Sequence, residues 1–186
     1  MSSFAGKDNC TDIILDFIAG GLWGDRLGNP VGESDGNYNA YFGHITGPYN
    51  FATYTLDRIY QFQAEMLVRD RRSTAIGRYQ FLRRTLQALQ AKRGLPGSTL
   101  FTHELQDRLA VDLLIGRGYP AWWRGSLTDA EFAHGLALEW ASLPDPRNYG
   151  KSAYDGDSAG NHASTRMANV YAMLRRARAA KSTGAG

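Results

Sequence analysis

Apolar residues along this chain recur mostly at three- and four-residue intervals, the spacing of helices that bury one face. The stretch "TDIILDFIA" puts Ile14, Leu15 and Ile18 on one face, with Thr11 as its N-cap. "TLDRIYQFQAEMLVRD" repeats Leu56, Ile59, Tyr60, Phe62, Met66 and Leu67. "GRYQFLRRTLQALQAKRG" carries Tyr79, Leu82, Leu86 and Leu89, so the spacing predicts a helix opened by Tyr79 and Gln80 and stopped by Gly94. "HELQDRLAVDLLIGRG" repeats Leu105, Leu109 and Leu113 ahead of Gly116 and Gly118. In "LTDAEFAHGLALEWASLP" the T-x-x-E pair Thr128 and Glu131 is a capping box, and Pro144 closes the segment. "NHASTRMANVYAMLRRARAAK" turns Met167, Val170 and Leu174 inward and its basic residues outward.

The period changes between the first and second of these helices. Over residues 37–54, Tyr38, Ala40 and Phe42 alternate with Asn37, Asn39 and Tyr41, and turn residues follow around Gly47 and Pro48. Alternation of this kind predicts a small, partly exposed antiparallel sheet or irregular lobe. The fold expected is α+β, a mostly helical body with one small β lobe inserted early and a substrate cleft between them. With 186 residues, no internal repeat and no low-complexity linker, the chain reads as a single domain over 1–186, ending in a basic helix and a short flexible tail.

Composition narrows the function. A hydrophobic content of 43% with 21% charged residues excludes global disorder. The net charge of +3 is concentrated at the end, where residues 164–186 hold Arg166, Arg175, Arg176, Arg178 and Lys181 and no acid. The body is therefore nearly neutral, which argues against a nucleic-acid partner. The arginine cluster suits the negative end of a helix dipole. One cysteine, Cys10, forms no internal disulfide, fits a reducing compartment and reads as a small buried hydrophobe. His44, His103, His134 and His162 do not approach metal-ligand spacing, so neither a metal nor another cofactor is expected. "MSSFAGKDNC" lacks the apolar stretch of a secretion signal, and no segment has the run of about 18 apolar residues that would insert stably in a membrane.

Three clusters carry candidate chemistry. In "GESDGNYNAYFG", Glu33 stands ahead of a run of Asn, Gly and Tyr at the junction of helical body and lobe. A carboxyl walled by aromatics loses hydration, its pKa rises, and it can hand a proton to a leaving-group oxygen. A turn cap on the surface is the alternative for Glu33. In "STAIGRYQF", Gly77 lets backbone approach a ligand, and Gln80 both donates and accepts hydrogen bonds. Taken alone, that stretch also reads as a helix start capped by Ser73 or Thr74. In "EWASLPDPRNYG", Trp140 and Tyr149 bracket Pro144 and Pro146, which also fits a core tryptophan followed by a loop.

The order "ESDGNYNAY", "STAIGRYQF", "EWASLP…YG" resembles the lambda-type phage lysozymes, over most of the chain from about Thr11 to the last helix. "STAIGRYQ" and "WASLP" are its specific parts, whereas "ES-x-G-N-Y-N-A" is shared across lysozyme-like transglycosylases. The resemblance implies a lysozyme-like fold and lytic transglycosylation of peptidoglycan glycan strands. It gives Glu33 the place of the catalytic acid. It sets Tyr79 and Gln80 along the saccharide cleft and Tyr149 in the closing Tyr-Gly region. Ser34, Tyr38, Asn39, Tyr41, Ser73 and Gly77 then line the substrate. "GGLWGDRLGNPV" is a departure, since relatives run more directly from helix to catalytic Glu. This insertion either rims the cleft through Trp23 or decorates the surface.

A hydrolytic lysozyme ordinarily uses two carboxylates flanking the bond. Asp35 lies only two residues from Glu33, poorly placed for the opposite face of the sugar, and Asp57, Asp155 and Asp157 have no counterpart in the family as partners. A lytic transglycosylase uses one: Glu protonates the leaving oxygen, then takes the proton of the muramic acid C6 hydroxyl as that oxygen closes a 1,6-anhydro ring. The substrate's acetamido group replaces an enzyme nucleophile. The alternatives are a hydrolytic muramidase on the same fold and a non-catalytic glycan-binding virion protein. The expected setting is a monomer folded in the host cytoplasm and released to the wall by a separate holin-type pore, or carried in a phage particle.

Overall fold

The computed structural model describes residues 9–20, 32–69, 73–157 and 160–183. Among these the chain forms seven α-helices: α1 (Asn9–Ala19), α2 (Leu56–Val68), α3 (Arg83–Arg93), α4 (His103–Gly116), α5 (Tyr119–Trp123), α6 (Asp129–Ala137) and α7 (Met167–Thr183). Two single 3-10 turns, Phe51–Thr53 and Pro146–Asn148, complete the regular structure. The body is mostly helical, and its most extensive helix pair is α1 against α7. Ile14, Leu15 and Ile18 of α1 and Val170, Met173, Leu174 and Ala177 of α7 are buried. Each large apolar side chain withdrawn from water in this way contributes about 1.5–3 kcal/mol before entropy is counted.

Caps set most boundaries, and two of them, the Thr128–Glu131 box and the Gly94 stop, stand where the sequence predicts them. Thr55 and Thr102 accept hydrogen bonds from Arg58 N and Leu105 N, opening α2 and α4. Thr128 and Glu131 form the reciprocal capping box of α6. Gly94 takes a left-handed conformation (φ 62°) that ends α3.

Four expectations are corrected. The first helix already runs from Asn9, so Thr11 is a buried helical residue and not its N-cap; Cys10 packs into the core one residue earlier and draws the helix with it. The third helix begins at Arg83 and not at Tyr79 and Gln80. There Ile76 and Phe81 pair across a tight turn, Ile76 N to Phe81 O at 3.2 Å and Phe81 N to Ile76 O at 2.9 Å. Gly77 (φ 78°) and Gln80 (φ 51°) take left-handed conformations that no α-helix accommodates. The helix expected to reach Pro144 ends at Ala137, because Trp140 turns into the core and donates through Nε1 to Tyr79 O at 3.3 Å. Arg178 does not face outward with the other basic residues: its Nε donates to Asp129 at 3.0 Å and its guanidinium lies 4.5 Å from the Trp122 ring centroid. The short helix α5 was not anticipated.

The alternation over 37–54 does not become a sheet among the described residues. Only isolated antiparallel bridges form, Tyr41 with Ile45 and with Ile76 in this region. Asp35 (φ 52°), Gly36 (φ 74°), Phe42 (φ 47°) and Gly43 (φ 82°) repeatedly leave the extended conformation, so no ladder propagates. An aromatic cluster holds the segment instead, with Tyr41 edge-on to Phe62 (5.4 Å) and Tyr49 parallel to Phe51 (6.1 Å). The insertion beyond Gly20, with Trp23, and the tail beyond Thr183 lie outside the described residues.

Candidate active site

The C-terminal end of α1 leaves carbonyl groups without helical partners. The segment carrying Glu33 satisfies them. Glu33 N donates to Ile18 O at 2.9 Å, while Ser34 N and Gly36 N donate to Ala19 O at 3.2 and 2.9 Å. Gly32 makes this docking possible: with φ at 131°, a Cβ there would lie 2.4 Å from Gly20 N. Glu33 is thus fixed against the helix end.

Its side chain meets the "WASLP" stretch. Ser142 N donates to Glu33 Oε1 at 3.2 Å. Ser164 ties both flanks together, since Gly32 N donates to Ser164 Oγ (3.3 Å) and Ser164 N donates to Ser142 O (2.8 Å). Glu33 is only partly exposed, and loss of hydration pushes its carboxyl above the ordinary carboxylate range. The Ser142 hydroxyl and backbone N–H, and more weakly the charge of His44, pull the other way. Such a group holds a proton to higher pH than a free carboxyl and is suited to general-acid work.

The second stretch adjoins the first. Ser34 is buried and donates through Oγ to Arg78 O at 2.6 Å. Gln80 is buried as well: its Oε1 accepts from Gly43 N at 2.6 Å and its Nε2 donates to Gly77 O at 2.8 Å. In this geometry the amide braces the two loops. Gly77 leaves room for Gln106, whose Oε1 would sit 2.4 Å from a Cβ and which accepts from Arg78 N at 2.9 Å. Ser73 turns back on its own backbone, accepting from Ala75 N at 3.1 Å. All three sequence clusters therefore meet: Glu33 with Ser142, Ser34 with Arg78, and Trp140 with Tyr79.

The aromatic residues take different places. Tyr79 is buried and donates to Asp107 at 2.7 Å, and burial pushes its hydroxyl far up, so it stays neutral. Tyr38 also donates to Asp107 (2.9 Å) and stacks on His103 with ring centroids 4.0 Å apart. Asn39 accepts from Phe51 N at 2.8 Å, which braces the loop. Tyr41 is half-buried in the aromatic cluster, and Tyr41, Tyr49, Phe62, Glu65, Met66 and Arg69 enclose a small pocket of about 40 Å³. Tyr149 is 98% exposed, with its backbone in the left-handed region at φ 53°.

Residues outside the sequence reading support this arrangement. Arg78 donates to Asp16 of α1 at 2.5 Å, to Tyr38 at 3.1 Å and to Tyr79 at 3.0 Å, and lies 3.7 Å from Asp107. It joins α1, the Glu33 loop, the Gly77 turn and α4. His44 pairs with Asp35 at 3.2 Å beside the site. A signal for Arg78 stood inside "STAIGRYQF"; Asp16 and Asp107 lie on amphipathic helices, where a lone acid reads as a solvated residue. Among the described residues no group of His, Cys, Asp and Glu is arranged to hold a metal ion, and no helix is long and apolar enough to cross a membrane.

Comparison with known proteins adds one match: the family model described as Endolysin covers residues 31–173. No curated protein and no solved structure matches the chain.

Proposed function

The chain belongs to the endolysin family, phage enzymes of bacterial cell-wall lysis, and on that premise we propose that Glu33 cleaves peptidoglycan glycan strands by lytic transglycosylation. The bond broken is the β-1,4 link between N-acetylmuramic acid and N-acetylglucosamine, on a lysozyme-like site. Glu33 protonates the leaving oxygen, then accepts the proton of the muramic acid C6 hydroxyl as O6 bonds to C1. Water enters neither product, and the new end is a 1,6-anhydromuramic acid. Tyr149 stacks on the sugar, the Tyr38–Tyr41 loop forms one lip of the cleft, and Ser34, Asn39, Ser73, Gly77, Tyr79 and Gln80 hold the walls.

The observation that carries this reading is a partly buried carboxyl whose pKa is raised, on a residue docked by its own N–H at the end of α1, with the Ser142 backbone N–H on its Oε1. The neighbouring acids are committed elsewhere, Asp35 to His44 and Asp16 to Arg78, which favours the one-carboxylate chemistry over a hydrolase with a second acid. Digestion of purified peptidoglycan followed by mass spectrometry tests it. The expected muropeptides are one water lighter than reducing-end products and vanish with Glu33→Gln. Reducing ends would assign the reaction to water and to a muramidase. No release by the wild type would leave a glycan-binding protein.

A further inference from the structure

Glu33 needs help in opposite directions during the reaction just proposed. It must be protonated at the start and tolerate a negative charge once its proton has left. The Ser142 backbone N–H on Oε1 is fixed and cannot respond to that change. Its hydroxyl can. Ser142 Oγ is buried and makes no hydrogen bond of ordinary geometry among the described residues, one of three such side-chain atoms. A buried hydroxyl held close to a carboxyl but outside ordinary hydrogen-bond geometry carries a desolvation cost, so it calls for a reason. The backbone N–H of the same residue already holds the Glu33 carboxyl, and the hydroxyl hydrogen is free to rotate.

The surrounding geometry holds the Ser142 peptide in place. Ser164 N and Ser164 Oγ both donate to Ser142 O, at 2.8 and 3.3 Å, and Gly32 N donates to the same Ser164 Oγ. Ser164 thus clamps the residue before Glu33 to the residue that faces its carboxyl. Other charged groups on the elements around Glu33 have partners of their own. His44 is paired with Asp35, Asp16 of α1 with Arg78, Glu139 with Arg117, and Asp145 with His134.

We propose that Ser142 is a positioning residue for Glu33, its hydroxyl turning to donate to the carboxylate each time that group gives up its proton. This rests on Glu33 being the acid of the proposed reaction, whether the acceptor is O6 or water. The effect of the hydroxyl on the carboxyl agrees in direction, since it lowers a pKa that burial raises.

The test is the pH dependence of muropeptide release by wild type and by Ser142→Ala, with melting temperatures measured alongside. Without the hydroxyl the Glu33 pKa rises, the protonated acid persists to higher pH, and the alkaline limb moves up by about one unit, the scale of one hydrogen bond to a charged group. The plateau kcat falls about tenfold with KM unchanged, because the carboxylate formed in the reaction is less stabilised. Ser142→Thr, which keeps the hydroxyl, restores the wild-type limb. If Ser142→Ala does not fold, Ser142→Cys, nearly isosteric and a weaker donor, is expected to shift the limb in the same direction. An unmoved limb overturns the proposal, and a raised KM with an unmoved limb would give the hydroxyl to the glycan instead. An inactive wild type would strike the proposed function and not this relation alone.

Discussion

At the scale of single residues, Glu33 illustrates a conflict between stability and chemistry. Its folded-state pKa lies above the value of an exposed Glu, so its contribution to stability is complete below the ordinary carboxylate range and is lost as pH rises through the folded value. Glutamine escapes that loss. Glu33→Gln is expected to melt higher than wild type at neutral pH, with the difference shrinking as the pH is brought below the ordinary carboxylate range. Calorimetry at several pH values checks this, and equal melting temperatures at neutral pH would contradict the burial assigned to the carboxyl. The same substitution is expected to cost about 10²–10⁴ in turnover, the range of a general acid. The residue type and its polar surroundings were legible in "GESDGNYNAYFG". Its contact with Ser142, 109 residues away, was not, because nothing local relates the two positions.

At the scale of elements, the start of α6 was legible because a cap is a local bargain between one oxygen and one nearby N–H. The α6 box is the clearest case: Thr128 Oγ1 accepts from Glu131 N at 3.2 Å and Glu131 Oε2 accepts from Thr128 N at 2.8 Å. Thr128→Ala is expected to destabilise the protein by about 1 kcal/mol, near 2–4 °C in melting temperature at this chain length, and Thr128→Ser to lose much less. Thermal denaturation distinguishes them. The elements that were misread share a different cause. Leu82, Leu86 and Leu89 keep a helical rhythm that extends back to Tyr79, yet the turn at Gly77 and Gln80 overrides it. The override comes from pairing between Ile76 and Phe81 and from Gln80 bonding Gly43 across the lobe. The alternating run at 37–42 was misread for a related reason, since its polar side chains bond loop backbone and its neighbours adopt left-handed conformations.

At the scale of the whole molecule, Arg78 is the cross-piece. It is largely buried, and it stands between Asp16 and Asp107 with two tyrosine hydroxyls beside them. Removing the cation leaves two mostly buried acids without it, a change that typically costs about 3–5 kcal/mol. Arg78→Met is therefore expected to lower the melting temperature by roughly 10 °C, and Asp107→Asn introduced with it to recover part of the loss. A fully additive pair would show that the two side chains do not act as one unit. The α7 end is tied in by Arg178, which bonds Asp129 and covers the Trp122 ring, so one member of the basic cluster serves packing between α5, α6 and α7.

By itself the sequence determined a mostly helical chain, its main apolar faces, the capping box of α6, the glycine stop of α3 and the three stretches that meet around Glu33. These depend on periodicity and on hydrogen bonds within a few residues, which a linear reading contains. The tertiary structure alone decided that the lobe is bridged and aromatic-packed instead of sheeted, that Tyr79 and Gln80 brace the site from inside, and that Ser142 and Ser164 close on Glu33. Those outcomes follow from contacts between residues far apart in the chain. The desolvation and long-range hydrogen bonds responsible exist only once the elements have packed.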